Sequence, residues 1–168
     1  MGKELLLLRH AKSSWGDATV SDRERRLNNR GRRNAPMMGR ALSELLQPQC
    51  VHVSPATRAQ LTLGGLQDGW PGLQAMQHVT EEALYTFAMD DIVDWLKGSG
   101  QQADSLFLIG HNPALTELTN WLCGDVVLTR LPTAGFVHLS LDIADWAALR
   151  PACARLVQRI FPRQLQDA

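Results

Sequence analysis

The chain has 168 residues, enough to bury a real hydrophobic core without disulfide or metal staples, and is expected to form one domain over residues 1–168. Seventeen basic residues balance seventeen acidic ones, so no overall field points to nucleic acid, a membrane surface or a polyanionic partner. Cys50, Cys123 and Cys153 are too few and too scattered for a metal spacing or a disulfide framework, and no apolar run approaches membrane-spanning length. With no cleavage signal after the short N-terminal apolar run, the expected location is cytoplasmic. Fourteen of the cations are arginines, whose guanidinium grips phosphate or carboxylate as a fork where lysine offers only a point charge.

In chain order, Lys3 to Lys12 reads as a buried strand, because four consecutive leucines end abruptly in Arg9 and His10. Residues just past such strands lie where open α/β sheets bind ligands, which makes both site candidates. The polar, basic segment from Asp17 to Arg33 reads as a long surface loop. Its six arginines fit a solvated face better than an anion-binding patch. Met38, Ala41, Leu42, Leu45 and Leu46 recur at helical spacing, predicting a helix over about 34–46. Either Asn34 caps it, or Asn28 caps a longer helix running through Pro36.

Cys50 to Val53 is a short strand, followed by Ser54 as N-cap and Pro55 at the first helical position, which places Arg58 in the opening turn. The same device recurs later. Strand Ser105 to Ile109 leads through Gly110 and His111 to Asn112, a cap, and Pro113, which opens a helix with Leu115, Leu118 and Leu122 inward. Between these units, Leu73 to Val79 is a weaker strand candidate and Ala88 to Lys97 a helix, with Glu82 in the loop between them. Phe136 to Leu141 alternates as an antiparallel edge strand, Trp146 sits on a short helix, and Arg155 to Ile160 reads as strand in preference to a helical turn. Strands alternating with helices give a three-layer α/β/α sandwich, and no Gly-rich dinucleotide or P-loop motif follows any strand.

Three strands thus deliver Arg9 with His10, Arg58, and His111 to one sheet edge. Two arginines and two histidines without metal ligands suit phosphoryl transfer, in which guanidinium forks neutralise the equatorial oxygens and a neutral imidazole attacks phosphorus. Metal binding is the competing use of paired histidines. It is disfavoured because the arginines repel a divalent ion and no carboxylate or cysteine joins at ligand spacing. His52, His78 and His138 receive no role, and Trp15, Trp95 and Trp121 read as packing residues.

Leu-Arg-His-Ala-Lys-Ser-Ser-Trp (residues 8–15), Ser-Pro-Ala-Thr-Arg-Ala-Gln-Leu-Thr (54–62) and Gly-His-Asn-Pro (110–113) resemble the histidine phosphatase superfamily, whose fold is phosphoglycerate-mutase-like. The SixA-type phosphohistidine phosphatases match best, and Asp22, Arg25, Leu27, Asn28 and Gly31 resemble that subgroup's loop. The resemblance implies a mixed, mainly parallel sheet between helices, with His10 as the nucleophile and Arg9, Arg58 and His111 as the phosphate pocket. Ser13 falls where some relatives place a pocket residue, and Glu82, in Glu-Ala-Leu-Tyr, matches the usual acid position. Two positions depart from the pattern: Ala11 stands where glycine is usual, and Arg26 where proline is common.

The expectation is a metal- and cofactor-independent phosphatase that takes the phosphoryl group onto His10 and releases it to water. Its favoured substrate is a phosphohistidine-bearing protein, such as a histidine-containing phosphotransfer domain, met by a monomer away from nucleic acid and membranes. Only 23 residues separate Arg58 from Glu82, little chain for a lid. The alternatives are a phosphatase for a small phosphorylated molecule and a phospho-ligand-binding module without turnover.

Overall fold

In the computed structural model, which describes residues 2–166, the four leucines lie in β1 (Lys3–Arg9), at the centre of a six-stranded sheet. The other elements are α1 (Asn29–Ser43), β2 (Val51–Val53), α2 (Thr57–Gly69), α3 (Pro71–Gln74), β3 (His78–Thr80), α4 (Met89–Gly98), β4 (Ser105–Gly110), α5 (Ala114–Cys123), β5 (Phe136–Leu141), β6 (Ala154–Ile160) and α6 (Pro162–Gln166). Strand order is β3-β2-β4-β1-β5-β6, with the first four parallel and the last two antiparallel to their neighbours. Helices cover both faces, which makes the chain a three-layer α/β/α sandwich with a mixed, mainly parallel sheet. No helix among the described residues is long and apolar enough to cross a membrane.

The pleat explains why β1 is apolar throughout. Leu5 and Leu7 join Ile92 and Leu96 of α4 and Leu115 and Leu118 of α5 on one face. Leu6 and Leu8 join Met38 and Leu42 of α1 and Leu63 and Leu66 of α2 on the other. Each fully buried leucine contributes about 1.5–3 kcal/mol, so the strand that carries Arg9 is firmly seated. On the second face, α1 and α2 approach closely because glycines leave room: a Cβ on Gly39 would lie 2.3 Å from the Leu66 carbonyl oxygen.

Several boundaries differ from the sequence expectation. α1 begins at Asn29, capped by Asn28 Oδ1, which accepts from the Gly31 N–H at 2.9 Å, so it is the longer helix, through Pro36. Arg30, Arg32 and Arg33 therefore belong to a helix and not to the loop. Leu45 lies past the helix end and is exposed. The Leu73 to Val79 strand is replaced by α3 and the shorter β3, because Pro71 opens a helical turn that buries Leu73. β5 is interior, not an edge, since β6 pairs along its outer side. Val137, Leu139 and Leu141 do share one face, as their alternation requires. Helix α5 starts at Ala114, one residue later than expected, while Asn112 Oδ1 accepts from the Thr116 N–H at 3.1 Å.

Candidate active site

The register of two parallel strands brings the two histidines together. β1 pairs with β4 so that Arg9 lies opposite Gly110, and the His10 N–H donates to the Gly110 carbonyl at 3.1 Å. The next residues, His10 and His111, then face each other with ring centroids 5.1 Å apart and planes tilted by 51°. Both are almost wholly buried. Beyond β2, the Ser54 N–H donates to the Ile109 carbonyl at 3.1 Å, and its hydroxyl lies 2.8 Å from His111 Nε2. Ser54 was expected to cap α2; its oxygen accepts only a 3.2 Å bond from the Ala56 N–H, and α2 has no side-chain cap. Arg58, second residue of α2, is 1% exposed, and Thr62 fixes this turn to the first strand by donating to the Arg58 carbonyl and accepting from the Ala11 N–H.

A hydrogen bond assigns the His10 tautomer. His10 Nδ1 lies 2.7 Å from the Ala11 carbonyl, which can only accept, so the proton is on Nδ1 and the lone pair on Nε2. For His111, Nε2 shares a hydrogen bond with the Ser54 hydroxyl, and buried Nδ1 has no partner among the described residues. Burial drives the His10 pKa well below its ordinary value, and His111, Arg58 and Arg9 add to the effect. His111 is lowered to about 3 by burial and then by Arg58. Arg9 is lowered to about 10 by burial, with Arg130 and Arg58 contributing. Two neutral imidazoles thus sit among permanent cations.

A roof of loop residues covers this floor. Asp22 accepts from Arg58 Nη2 at 3.1 Å, from Arg25 Nη2 at 3.0 Å and from the Tyr85 hydroxyl at 2.5 Å, while its carbonyl accepts from Arg58 Nη1 at 2.6 Å. Partial burial pushes the Asp22 carboxyl up, but hydrogen bonds from Tyr85, Arg58 and Arg25 outweigh it and bring the pKa to about 2. Buried Arg25 also donates to Ser13 Oγ at 2.6 Å and stacks 3.6 Å from the Trp15 ring centroid. Trp15 itself is exposed, so it shields Arg25 instead of packing into the core. Tyr85 and Phe87 wall the outer side of His111 at centroid distances of 5.6 and 5.8 Å.

Of the residues singled out in the sequence, Arg9, Arg58 and His111 converge around His10, with Ser13 joined to the cluster through Arg25. Glu82 stands apart at the rim, its side chain 70% exposed and held by both terminal nitrogens of Arg23 at 2.7 and 3.1 Å. The hydrogen bond from Arg23 lowers its pKa, which keeps the carboxylate ionised. Asp22, Arg25, Ser54, Thr62 and Tyr85 were not among the candidates. The reading of the 23–33 arginines as a solvated face fails at Arg25, where one guanidinium folds inward, and holds for the exposed Arg26, Arg30 and Arg33. No group of three or more His, Cys, Asp or Glu side chains among the described residues is arranged to hold a metal ion.

Residues 5–124 match the model of the histidine phosphatase superfamily, branch 1. An uncharacterized protein of Mycobacterium tuberculosis is 30% identical over 166 residues, covering 93% of this chain and all of its own length. Among solved structures, one assigned as phosphohistidine phosphatase SixA of Nakamurella multipartitia is 26% identical, covers 96% of this chain and 97% of its own, and superposes with a TM-score of 0.77. A mycobacterial glucosyl-3-phosphoglycerate phosphatase shares the fold at 15% identity, with coverage of 94% and 98% and a TM-score of 0.64. The strand-end histidine pair, its arginines and the sequence that carries them agree with these likenesses: the chain belongs to the histidine phosphatase superfamily.

Proposed function

We propose that the chain is a metal-independent phosphatase that works through a phosphohistidine intermediate on His10 and removes phosphate from phosphohistidine on a protein. One observation carries the reading. Three buried guanidinium N–H donors (Arg9 Nε, Arg25 Nε and Arg58 Nε) and the buried ring nitrogen His111 Nδ1 have no hydrogen-bond partner among the described residues, and they come from four separate segments of the chain. An unsatisfied buried donor costs about 1–3 kcal/mol, so these groups beside His10 suit an anion with several oxygens.

In the first displacement the His10 Nε2 lone pair forms a bond to phosphorus as the bond from phosphorus to the substrate's imidazole nitrogen breaks. The imidazole leaves neutral when its other nitrogen carries a proton. Arg9, Arg58 and His111 Nδ1–H take the charge on the equatorial oxygens, and the low proton affinity of His10 keeps Nε2 free near neutral pH. Water then attacks the phosphorylated His10 and releases phosphate. Preference for a protein substrate is supported by the chain between Arg58 and Glu82, which is used up in α2, α3 and β3 and leaves little length for a lid. The likeness to the Nakamurella protein points the same way. Hydrolysis of a small phosphomonoester is the second reading, favoured by the mycobacterial neighbour of the same fold.

A rapid-quench experiment with a ³²P-phosphohistidine protein tests the mechanism. Label is expected to pass through the chain in an acid-labile, alkali-stable form that His10→Ala does not acquire. Phosphate release with no labelled intermediate, or intermediate on His10→Ala, would remove His10 from the reaction path.

A further inference from the structure

The chain is neutral overall, but the exposed charges of α1 and α4, on opposite faces of the sheet, are biased in opposite senses. Helix α1 carries Arg30, Arg32, Arg33 and Arg40 and no acidic residue. At 100° per residue these arginines, with Met37 and Pro36 between them, fill the arc opposite the buried stripe of Gly31, Ala35, Met38 and Leu42. All four are exposed, and none lies within ion-pairing distance of a carboxylate among the described residues. Asp90, Asp91 and Asp94 are exposed on α4, across the sheet. Net charge alone conceals this separation.

The basic face runs directly into the candidate active site. Loop residues alternate as extended chain does, so that Arg25 is buried, Arg26 exposed and Leu27 buried. The Ser14 N–H donates to the Arg26 carbonyl at 2.7 Å, and Ser13 and Leu27 form an antiparallel bridge. Arg26 and Arg32 then flank a groove of about 450 Å³ between α1 and α2 whose apolar floor includes Ala35, Pro36 and Leu61, with Gln67 and the one carboxylate of its lining, Asp68, on the α2 side. An apolar floor with an arginine rim, starting one residue from a guanidinium of the pocket, has the chemistry to hold a protein while its phosphorylated side chain reaches His10.

We propose that this face of α1, with the groove beside it, is the docking surface for the acidic surface of the phosphohistidine protein. The inference rests on the phosphatase reading and extends it from the phosphoryl group to the carrier. Charge complementarity fixes the occupant's sign, and the apolar floor favours a folded protein over a bare polyanion, which would contact the rim alone. Steering by exposed charges accelerates encounter and weakens steeply with salt, whereas a small uncharged-carrier substrate gains little.

The test compares wild type with the combined variant Arg30→Glu, Arg33→Glu and Arg40→Glu, none of which touches the pocket. Three substrates are used: an acidic histidine-phosphorylated protein, a basic one and free phosphohistidine. For wild type, kcat/KM on the acidic protein should fall steeply from low to physiological salt. The variant should lose about tenfold or more on that protein at low salt, mainly through KM, and should gain on the basic one. Free phosphohistidine should be turned over equally by both enzymes. Equal losses on all three substrates, or no loss on the acidic protein, would overturn the docking surface while leaving the phosphatase standing. If wild type released phosphate from no phosphohistidine at all, the underlying reading and this extension would fall together. Unchanged protein turnover with lost binding of single-stranded RNA or anionic vesicles would reassign the face to those partners.

Discussion

Arg9, His10, Arg58 and His111 stand at the ends of β1 and β4 and in the first turn of α2, where backbone hydrogen bonds and a buried strand register leave them little freedom. Asp22 and Arg25, just above, belong to a loop and are held by side-chain bonds to Arg58, Tyr85 and Ser13. A floor fixed by the sheet is ready for chemistry before substrate arrives. A roof fixed by ion pairs depends on the charge of Asp22, and under the proposed function an incoming phosphoryl group would share Arg58 with that carboxylate. Under the proposed function, transition-state stabilisation would fall to the floor and control of anion entry and release to the roof, and substitutions on each side should separate the two.

The largest effect is expected from the floor. His10→Ala should reduce phosphate release by on the order of 10⁴-fold or more, because loss of a nucleophile removes the covalent path. Its circular dichroism should match wild type. Turnover near the wild-type rate would break the comparison at its base. Arg58→Ala should cost about 10²- to 10³-fold, since it removes a donor aimed at the phosphoryl group and leaves Asp22 without its deepest cation. Arg23→Ala, which cuts only an exposed rim pair, should stay within about threefold of wild type on a phosphohistidine substrate. A larger loss at Arg23 than at Arg58 would reverse floor and rim.

Roof substitutions should act more gently and chiefly on anion binding. Asp22→Asn removes a negative charge beside the phosphate position, so inorganic phosphate should inhibit about threefold to tenfold more tightly. Unchanged inhibition would mean that Asp22 never shares Arg58 with substrate. The pH dependence of stability separates the two layers further. His111 has a folded pKa of about 3, below its ordinary 6.5, and His10 is lowered as well. Below pH 6.5 the unfolded chain therefore binds protons that the native floor refuses, and stability falls as pH drops. Asp22, lowered to about 2 from its ordinary 3.8, gives stability that is complete above the higher value and lost as pH falls toward the lower. Urea midpoints should thus decline first from pH 6.5 to 4 through the histidines, then more steeply below 4, and Asp22→Asn should flatten only the second limb. A flat profile between pH 6.5 and 4 would mean that neither histidine is perturbed.

The same division explains what could be read in the sequence. Each floor residue follows a local signal, an apolar run ending in Arg9 and His10 or a strand running into a proline-opened helix at Arg58 and His111. The roof has no such signal, because its bonds join residues 36 and 63 positions apart, Asp22 to Arg58 and Asp22 to Tyr85. In an arginine-rich stretch, composition cannot distinguish the inward Arg25 from the outward Arg26 next to it. Resemblance flagged the Asp22 and Arg25 spacing, but without a partner it assigned neither a task. Ser54 misled for a related reason: a serine before a proline-opened helix has the local form of a cap, while its actual partner, His111, is 57 residues away. β5 reads as an edge because β6, whose apolar residues are interrupted by Arg155, Gln158 and Arg159, gives no sign that it covers it.

The smallest effect expected on the favoured substrate, and the sharpest test of substrate class, lies at Glu82. Its expected task is to protonate the leaving group, yet in the structure it is exposed and bound to Arg23, which favours the ionised form that has no proton to give. An alkoxide leaving from a phosphomonoester needs that proton, and general acid catalysis typically contributes about 10²- to 10⁴-fold. A protonated phosphohistidine ring departs as neutral imidazole and needs little help, so transfer to His10 is nearly symmetric. Glu82→Gln should therefore slow dephosphorylation of a phosphohistidine protein by less than about threefold, whereas a loss of at least about tenfold on an alkyl phosphate requires Glu82 to leave Arg23 and take up a proton when that substrate binds. Single-turnover loss of label from both substrates, wild type and variant side by side, measures the ratio. Large and equal losses would make Glu82 a general acid for every substrate and withdraw this support for phosphohistidine. No loss on either would leave Glu82 as the partner that orients Arg23 at the rim, outside the chemistry of the floor.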